Sequence, residues 1–507
     1  MPRINDQRLV TFSIMLATVM QALDTTIANV ALPHMQGSLS ASTDQATWVL
    51  TSYIVSAAIM TPAVGFMAGR IGRRRLFLWS VAGFTLASGL CGLATSLEEM
   101  VLFRILQGVF GAALVPLSQS VLLDTYPVEQ HGQAMAIWGM GVMVGPILGP
   151  TLGGWLTEWY SWRWVFYINL PFGLMAFAGI WLSVTETETR KVRFDMLGFA
   201  LLALAIGAFQ LMLDRGEQEK WFGSFEIQIE ALLAALGFYL FVAHSLTKKN
   251  PFIDLALFKD RNFVTGVVFI FVVGIILLAT MALLPPFLQQ WKGYPAVTTG
   301  LVLAPRGLGS MFSMMLVGRL MRTRLDARIL VVVGLSLVTL SLHQMAGFTL
   351  EVSTEDLIWT GILQGAGLGL VFVPASTLTY ATLDPALRTE GTSLFSLSRN
   401  LGSSVGISIM TAMLSRNLWI NNQQLGERIN LSGWIAQGLP MKEMVGSVPA
   451  AVYQTLQAQA AEISYMNDFR LLMWINMAAI PLVFLLRNNR QPPTPKQEAS
   501  AEVVGEP

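Results

Sequence analysis

Runs of roughly twenty mostly apolar residues alternate with short polar connections along nearly the whole chain. A helix crossing the apolar layer of a bilayer needs about 20 such residues. Fourteen stretches meet that need, at 10–32, 48–68, 76–96, 99–123, 134–156, 162–184, 195–213, 225–246, 263–288, 297–318, 328–349, 356–382, 391–415 and 468–486. The first run is long, contains Asp24 and ends without a small-residue cleavage site, so it reads as a retained span rather than a secretory leader. One connection is long: 416–467 carries Asn421, Asn422, Gln423 and Gln424, then a candidate helix near 449–464. It is either a solvated loop or a docking surface for a partner. The tail from Gln491, with Pro492, Pro493 and Pro495, reads as disordered.

Composition agrees with that pattern and closes off other classes. Of 507 residues, 53% are apolar and 12% charged, half the charged share of about 25% in soluble domains. A net charge of +1 gives no basic field for nucleic acid. Cys91 is the only cysteine, which excludes a disulfide framework. The four histidines, His34, His131, His244 and His343, lie far apart, and no phosphate-binding glycine loop occurs. No metal set, cofactor or direct use of ATP is expected, and a membrane enzyme is disfavoured.

Charge also orients the chain. With the amino terminus inside, 21 of the 32 Lys and Arg fall on cytoplasmic connections and tail, and eight fall outside. Arg104, Arg306 and Arg399 lie within spans. The positive-inside rule then places both termini in the cytoplasm and 416–467 outside.

The chain repeats. Ile105-Leu106-Gln107-Gly108, with Gly111 and Pro116, is matched by Ile362-Leu363-Gln364-Gly365, with Gly367, Gly369 and Pro374. Pro127 and Gly132 are matched by Pro385 and Gly391 in the next connections. The expectation is an all-α membrane protein of two six-helix bundles, 1–190 and 251–490, with two inserted helices at 191–250 and a cytoplasmic tail at 491–507. Parallel repeats around a midplane site are a transporter plan that works by alternating access, and they disfavour a sensor or channel.

A few residues carry chemistry. Asp24 lies two-thirds of the way along the first span, where a charge costs roughly 2.5–3.5 kcal/mol. It is either a carboxyl that loads and releases a proton or a structural group paired with an arginine. Arg104 is a fixed charge able to tune a nearby carboxyl, or a residue near the span's end that snorkels outward. Arg399-Asn400 binds substrate, locks the halves, or pairs with Asp384 or a backbone carbonyl. Asn29, Gln107 and Gln364 are further candidates for a substrate cavity. Gly65, Arg70, Gly72 and Arg73 lie in the loop after the second span, which anchors by charge or holds one conformer. Gly141, Gly145, Gly149 and Gly153 form a stripe for close helix packing, with Pro146 and Gly154 beside it. The 26 Met, 28 Phe and 14 Trp suit a promiscuous apolar pocket or ordinary lipid-facing packing.

These motifs resemble the major facilitator superfamily. The Gly65–Arg75 loop is similar to its signature loop, and Arg104…Gln107-Gly108 resembles its second motif. Gly145-Pro146…Gly153-Gly154 resembles the motif of its antiporters. Leu23-Asp24-Thr25-Thr26-Ile27-Ala28-Asn29-Val30-Ala31-Leu32-Pro33 and the fourteen spans resemble the EmrB/QacA-type drug:proton antiporter branch, on its EmrB-like side, from about residue 10 to 487. The resemblance implies proton-driven export of hydrophobic toxic compounds across a bacterial inner membrane. It implies proton coupling at Asp24 and Arg104, and a periplasmic membrane-fusion adaptor with an outer-membrane channel as partners. A dedicated exporter of one metabolite or fatty acid is the alternative. One departure stands out: Gly69 occupies the place of the family's usual Asp, which leaves the expected latch of acid against basic loop incomplete.

Overall fold

A computed structural model describes residues 7–187, 189, 194–322, 325–428 and 448–487. Among the described residues the regular structure is helical, with no strand. The helices are α1 (Gln7–Ser38), α2 (Thr43–Met60), α3 (Ala63–Ile71), α4 (Arg73–Leu93), α5 (Leu97–Gly111), α6 (Leu114–Thr125), α7 (His131–Trp159), α8 (Trp164–Tyr167), α9 (Asn169–Ser183), α10 (Met196–Arg215) and α11 (Phe225–Thr247). They continue as α12 (Arg261–Pro286), α13 (Ala296–Leu320), α14 (Ala327–Met345), α15 (Thr354–Tyr380), α16 (Arg388–Arg428) and α17 (Val448–Ala479).

Twelve helices or near-continuous pairs among the described residues are long and apolar enough to cross a membrane. A bent pair, Gln45–Met60 and Ala63–Ile71 at 58°, makes a thirteenth. The remaining expected span, 391–415, lies inside α16, whose many Ser and Asn residues make it more polar. The protein is thus an all-α, multi-pass membrane fold, consistent with fourteen spans.

Several spans are broken where the backbone has a reason to break. Pro62 precedes α3 and supplies no N–H, so the second span bends there. The fourth span is two helices, α5 and α6. Pro116 lies in the first turn of α6, where a missing N–H costs little. The sixth span divides at Ile168 into α8 and α9.

The long connection differs from the expected loop. α16 has 41 residues, about 60 Å at 1.5 Å per residue, twice the apolar thickness of a bilayer. Its last turns and the first turns of α17 continue past the apolar layer as paired helices. Asn417 Nδ2 donates to Asp468 Oδ1 at 3.3 Å and Asn421 Nδ2 to Ser464 Oγ at 3.0 Å. These bonds across the pair satisfy part of its inward polar surface and let the helices persist there. Residues 429–447 and the tail 491–507 lie outside the described residues, as do Arg3, Arg190, Lys191, Arg193, Arg324, Arg490 and Lys496.

Close packing follows the glycine stripe. On α7, Gly145 rests on the main chain of Ala22, Gly149 on Thr26, and Gly153 on Ile27 and Val30. Thr26 Oγ1 donates to Gly145 O at 3.0 Å. Gly154 touches only Val30, at the edge of the stripe. The same arrangement recurs in the second repeat, where Gly402 and Gly406 of α16 rest on the carbonyls of Phe271 and Ile275 of α12.

The inserted helix α10 lies between α2 and α16. Thr51 bonds to Asp214, Gln210 Nε2 donates to Ser404 Oγ at 2.7 Å, and Ser408 Oγ donates to Leu213 O at 2.9 Å. Asp195 caps α10 and binds Lys248 Nζ at 2.7 Å and His244 Nε2 at 3.1 Å, which ties the inserted pair together. Burial opposes its ionisation, but the bonds from Lys248, the Gly198 N–H and His244 outweigh that and hold its pKa down to about 2.

Candidate functional site

Asp24 is the centre of a buried polar cluster shared by α1, α5 and α9. It is 1% exposed. Its Oδ2 accepts from Arg104 Nη1 at 2.8 Å, and its Oδ1 accepts from Gln107 Nε2 and Asn169 Nδ2, both at 2.8 Å. Arg104, also 1% exposed, is held from every side. Nε donates to Val49 O at 2.9 Å, Nη1 donates to Gln107 Oε1 at 2.8 Å, and the guanidinium carbon lies 4.3 Å from the Tyr53 ring centroid. An ion pair this deep is tolerated because both Asp24 oxygens accept hydrogen bonds and Arg104 donates from Nε and Nη1 to three acceptors.

This arrangement decides between the two readings of Arg104. The residue does not snorkel outward; α5 turns it inward onto Asp24. Asn169 was missed by reading the sequence. Its Nδ2 also donates to Ser88 Oγ at 3.0 Å. The one available signal was an asparagine inside an apolar run, Phe166-Tyr167-Ile168-Asn169-Leu170.

Other candidates are not part of this cluster. Asn29 is exposed on α1 and donates weakly to Thr25 O at 3.4 Å. Gln364 is buried in the second repeat, with Nε2 donating to Thr280 Oγ1 at 3.2 Å. Arg399 Nη2 donates to Asn400 Oδ1 at 3.4 Å. Among the described residues no ion pair joins it to Asp384, which caps the backbone at Ala386.

A second polar site lies at the end of the bundle that carries Arg70 to Arg75. Asp124 at the end of α6 pairs with Arg73, and its Oδ1 accepts from Arg388 Nη1 at 2.8 Å. It therefore links the first repeat to the second. Arg73 Nη2 also reaches Pro385 O at 3.4 Å. The seam continues through Ser120 with Thr389 at 2.9 Å, Thr392 Oγ1 to Pro116 O at 3.0 Å, and Tyr380 Oη to Gln119 Oε1 at 3.4 Å. Gly65 lets α3 rest on the main chain of Glu390, and Gly72 takes a left-handed φ of 89° beside Glu186. Arg70 is exposed and makes no ion pair among the described residues. A side chain at Gly69 would meet open space.

Comparison with known proteins places this geometry in a family. The family model described as Major Facilitator Superfamily matches residues 14–407. The chain belongs to the Major Facilitator Superfamily.

Among its relatives, the multidrug export protein EmrB of Escherichia coli K12 is 36% identical over 463 residues, covering 86% of this chain and 90% of that one. The fatty acid resistance protein FarB of Neisseria gonorrhoeae is 38% identical over 422 residues, 83% of each chain. A crystal structure of a bacterial homologue of the human lysosomal transporter Spinster aligns with a TM-score of 0.56 at 19% identity, covering 96% of this chain and 99% of that one. That likeness supports the Major Facilitator fold alone. Within the superfamily, this chain combines the buried Asp24–Arg104 pair with an Asp124 link between its repeats.

Proposed function

We propose that this chain is a proton-coupled exporter of hydrophobic compounds, working by alternating access across a bacterial inner membrane. The observation that carries the reading is the Asp24 carboxylate buried in a membrane-crossing helix and bonded to Arg104, Gln107 and Asn169. A proton added to Asp24 leaves the Arg104 charge without its counter-charge in a dry site. The cluster must then repack, and α1 with it, since Gly145 and Gly149 lock α1 to α7. That repacking couples protonation to movement of the two bundles, residues 1–190 and 251–490, with 191–250 inserted between them. The names of its relatives, a multidrug export protein and a fatty acid resistance protein, agree with export of apolar compounds.

In this reading the Arg70–Arg75 end faces the cytoplasm together with both termini, and the Asp124 link closes it. The paired extensions of α16 and α17 then face the periplasm, where a membrane-fusion adaptor and an outer-membrane channel would meet them. The test of function is export by everted vesicles energised with a pH gradient, using a panel of hydrophobic anions, cations and neutral compounds. Accumulation that collapses with the gradient supports the reading; accumulation indifferent to the gradient for every compound overturns it.

The closing link has its own test. Asp124→Asn removes the shared counter-charge of Arg73 and Arg388. Open, cytoplasm-facing molecules are expected to rise severalfold, as about 1 kcal/mol shifts a two-state equilibrium by roughly fivefold. Cysteine labelling at Ser120, which is buried in the seam, measures this. Labelling at the wild-type rate would argue against a closing role for Asp124.

A further inference from the structure

At the end of the bundle away from Arg70–Arg75 cations are few, and several are already engaged. Arg163 lies over the Trp162 ring and donates to Ala94 O at 3.1 Å. Lys292 Nζ donates to Leu350 O at 2.9 Å and to Val352 O at 2.6 Å. Arg215 pairs with Glu219 at 2.9 Å and also with Glu226. Lys220 and Arg416 are different. Both are exposed, and neither has a carboxylate within ion-pair distance among the described residues.

These two cations come from separate elements and line one cavity. Lys220 lies in the connection between α10 and α11, and Arg416 on α16. The cavity holds about 450 Å³, and its walls include Glu217, Lys220, Trp221, Met413, Ser415 and Arg416. Glu217 is its one acid, and Oε2 of that acid accepts from Trp221 Nε1 at 3.0 Å. Two cations against one acid leave the walls net positive. The turn that carries Lys220 there is closed by the Trp221 N–H donating to Gly216 O at 2.6 Å. It holds Lys220 at φ 59° and Trp221 at φ 52°, a left-handed backbone that side chains of this kind adopt at a cost.

The cavity stands at the level of lipid headgroups. α10 ends at Arg215, α11 begins at Phe225, and the apolar run within α16 ends at Ser415, one residue before Arg416. A tryptophan in its wall suits that level, where an amphipathic ring meets both water and lipid. Beside it Phe222 and Phe225 are 60% and 75% exposed. They present an apolar surface of the kind that acyl chains cover, next to a pair of cations.

We propose that Lys220 and Arg416 bind the phosphate of an anionic phospholipid whose acyl chains lie along the inserted pair α10 and α11. The lipid supplies the counter-charge that the cavity lacks. Arg416 offers paired N–H donors to phosphate oxygens, and Lys220 adds a point charge. A lipid held there bridges the connection between the inserted helices and α16, at the same end as the bond from Ser408 Oγ to Leu213 O. The site goes beyond the export reading and does not depend on it.

Lipid quenching tests it without a gradient. The full-length protein carrying Phe222→Cys is labelled with a bimane fluorophore; Cys91 is buried, so the label reports from beside the cavity. In phosphatidylcholine nanodiscs, a small share of doxyl-labelled phosphatidylglycerol is expected to quench it as deeply as an about fivefold larger share of doxyl-labelled phosphatidylcholine. One basic residue at a membrane surface enriches anionic lipid by roughly that factor. Lys220→Gln and Arg416→Gln should each erase most of the preference, and Lys220→Arg should keep it. Arg470→Gln removes an exposed cation of α17 outside the cavity and should leave the preference unchanged. Inorganic phosphate should displace the labelled lipid no better than chloride at equal ionic strength; specific displacement would make this a site for free phosphate and overturn the lipid assignment. Equal quenching by the two lipids, or equal loss of preference in Arg470→Gln and Arg416→Gln, also overturns it.

Discussion

Asp24→Asn is expected to abolish gradient-driven export while leaving downhill substrate exchange in place. The substitution keeps the size of the side chain and removes the proton-carrying group. In the wild type both carboxylate oxygens accept, from Arg104, Gln107 and Asn169. Asparagine offers one oxygen and two N–H donors to these three donors, so one or more now oppose each other. Arg104 also loses its ion partner. Removing one member of a buried pair costs about 3–5 kcal/mol, so some loss of thermal stability should accompany the variant. The decisive readout is therefore the split between two assays on the same vesicles. Energised accumulation should fall to the level of the collapsed gradient, and exchange of labelled for unlabelled substrate without a gradient should persist. Wild-type accumulation under a pH gradient would remove Asp24 from the coupling mechanism.

The second large effect concerns the helix interface that holds Asp24 in place. Gly145→Ala places a methyl against the main-chain carbonyl of Ala22, two residues from Asp24. Main chain cannot rotate away, so α1 must shift from α7, and the bond from Thr26 to Gly145 O lengthens with it. Overpacking of this kind costs about 1–3 kcal/mol. Gly141→Ala lies one turn away on the same stripe, yet its methyl would meet the end of the Met15 side chain. That thioether can swing aside, so the cost should stay under about 1 kcal/mol. Thermal melting of the purified variants and substrate-driven proton movement should both rank Gly145→Ala well below Gly141→Ala. Equal behaviour would show that contact with the α1 main chain does not matter.

Much of the fold was legible because membrane helices are written in long apolar runs. Lipid offers no hydrogen bonds to the backbone, so a run of that length has few alternatives to helix. The breaks were less legible. In the apolar run 99–123 the division at Gly111–Leu114 is marked only by Gly111 and by Pro116 in the first turn of α6, residues that also read as part of a repeated motif. The 416–467 connection was legible in part. Its candidate helix near 449–464 lies in α17, but the polar stretch before it read as loop, whereas Asn417 and Asn421 continue α16 and face partners on α17 that lie 51 and 43 residues away in sequence.

The site divides in the same way. Asp24, Arg104 and Gln107 were visible as costly polar residues in apolar surroundings, and the glycine stripe was visible by its four-residue period. Asn169, Asp124 and Arg388 were not, since each gains its meaning from a partner far along the chain. Gly69 signalled a missing acid in the loop; it could not signal that Asp124 links Arg73 to Arg388 at the same end of the molecule.

The sequence by itself determined the class of protein, the number of apolar runs, the internal repeat and the few charges that lipid makes expensive. These are local properties, fixed by composition and spacing along the chain. Only the tertiary structure decided which of those charges meet. It gave Arg104 its acid and, among the described residues, left Arg306 and Arg399 without one, because pairing depends on how helices from distant segments face each other.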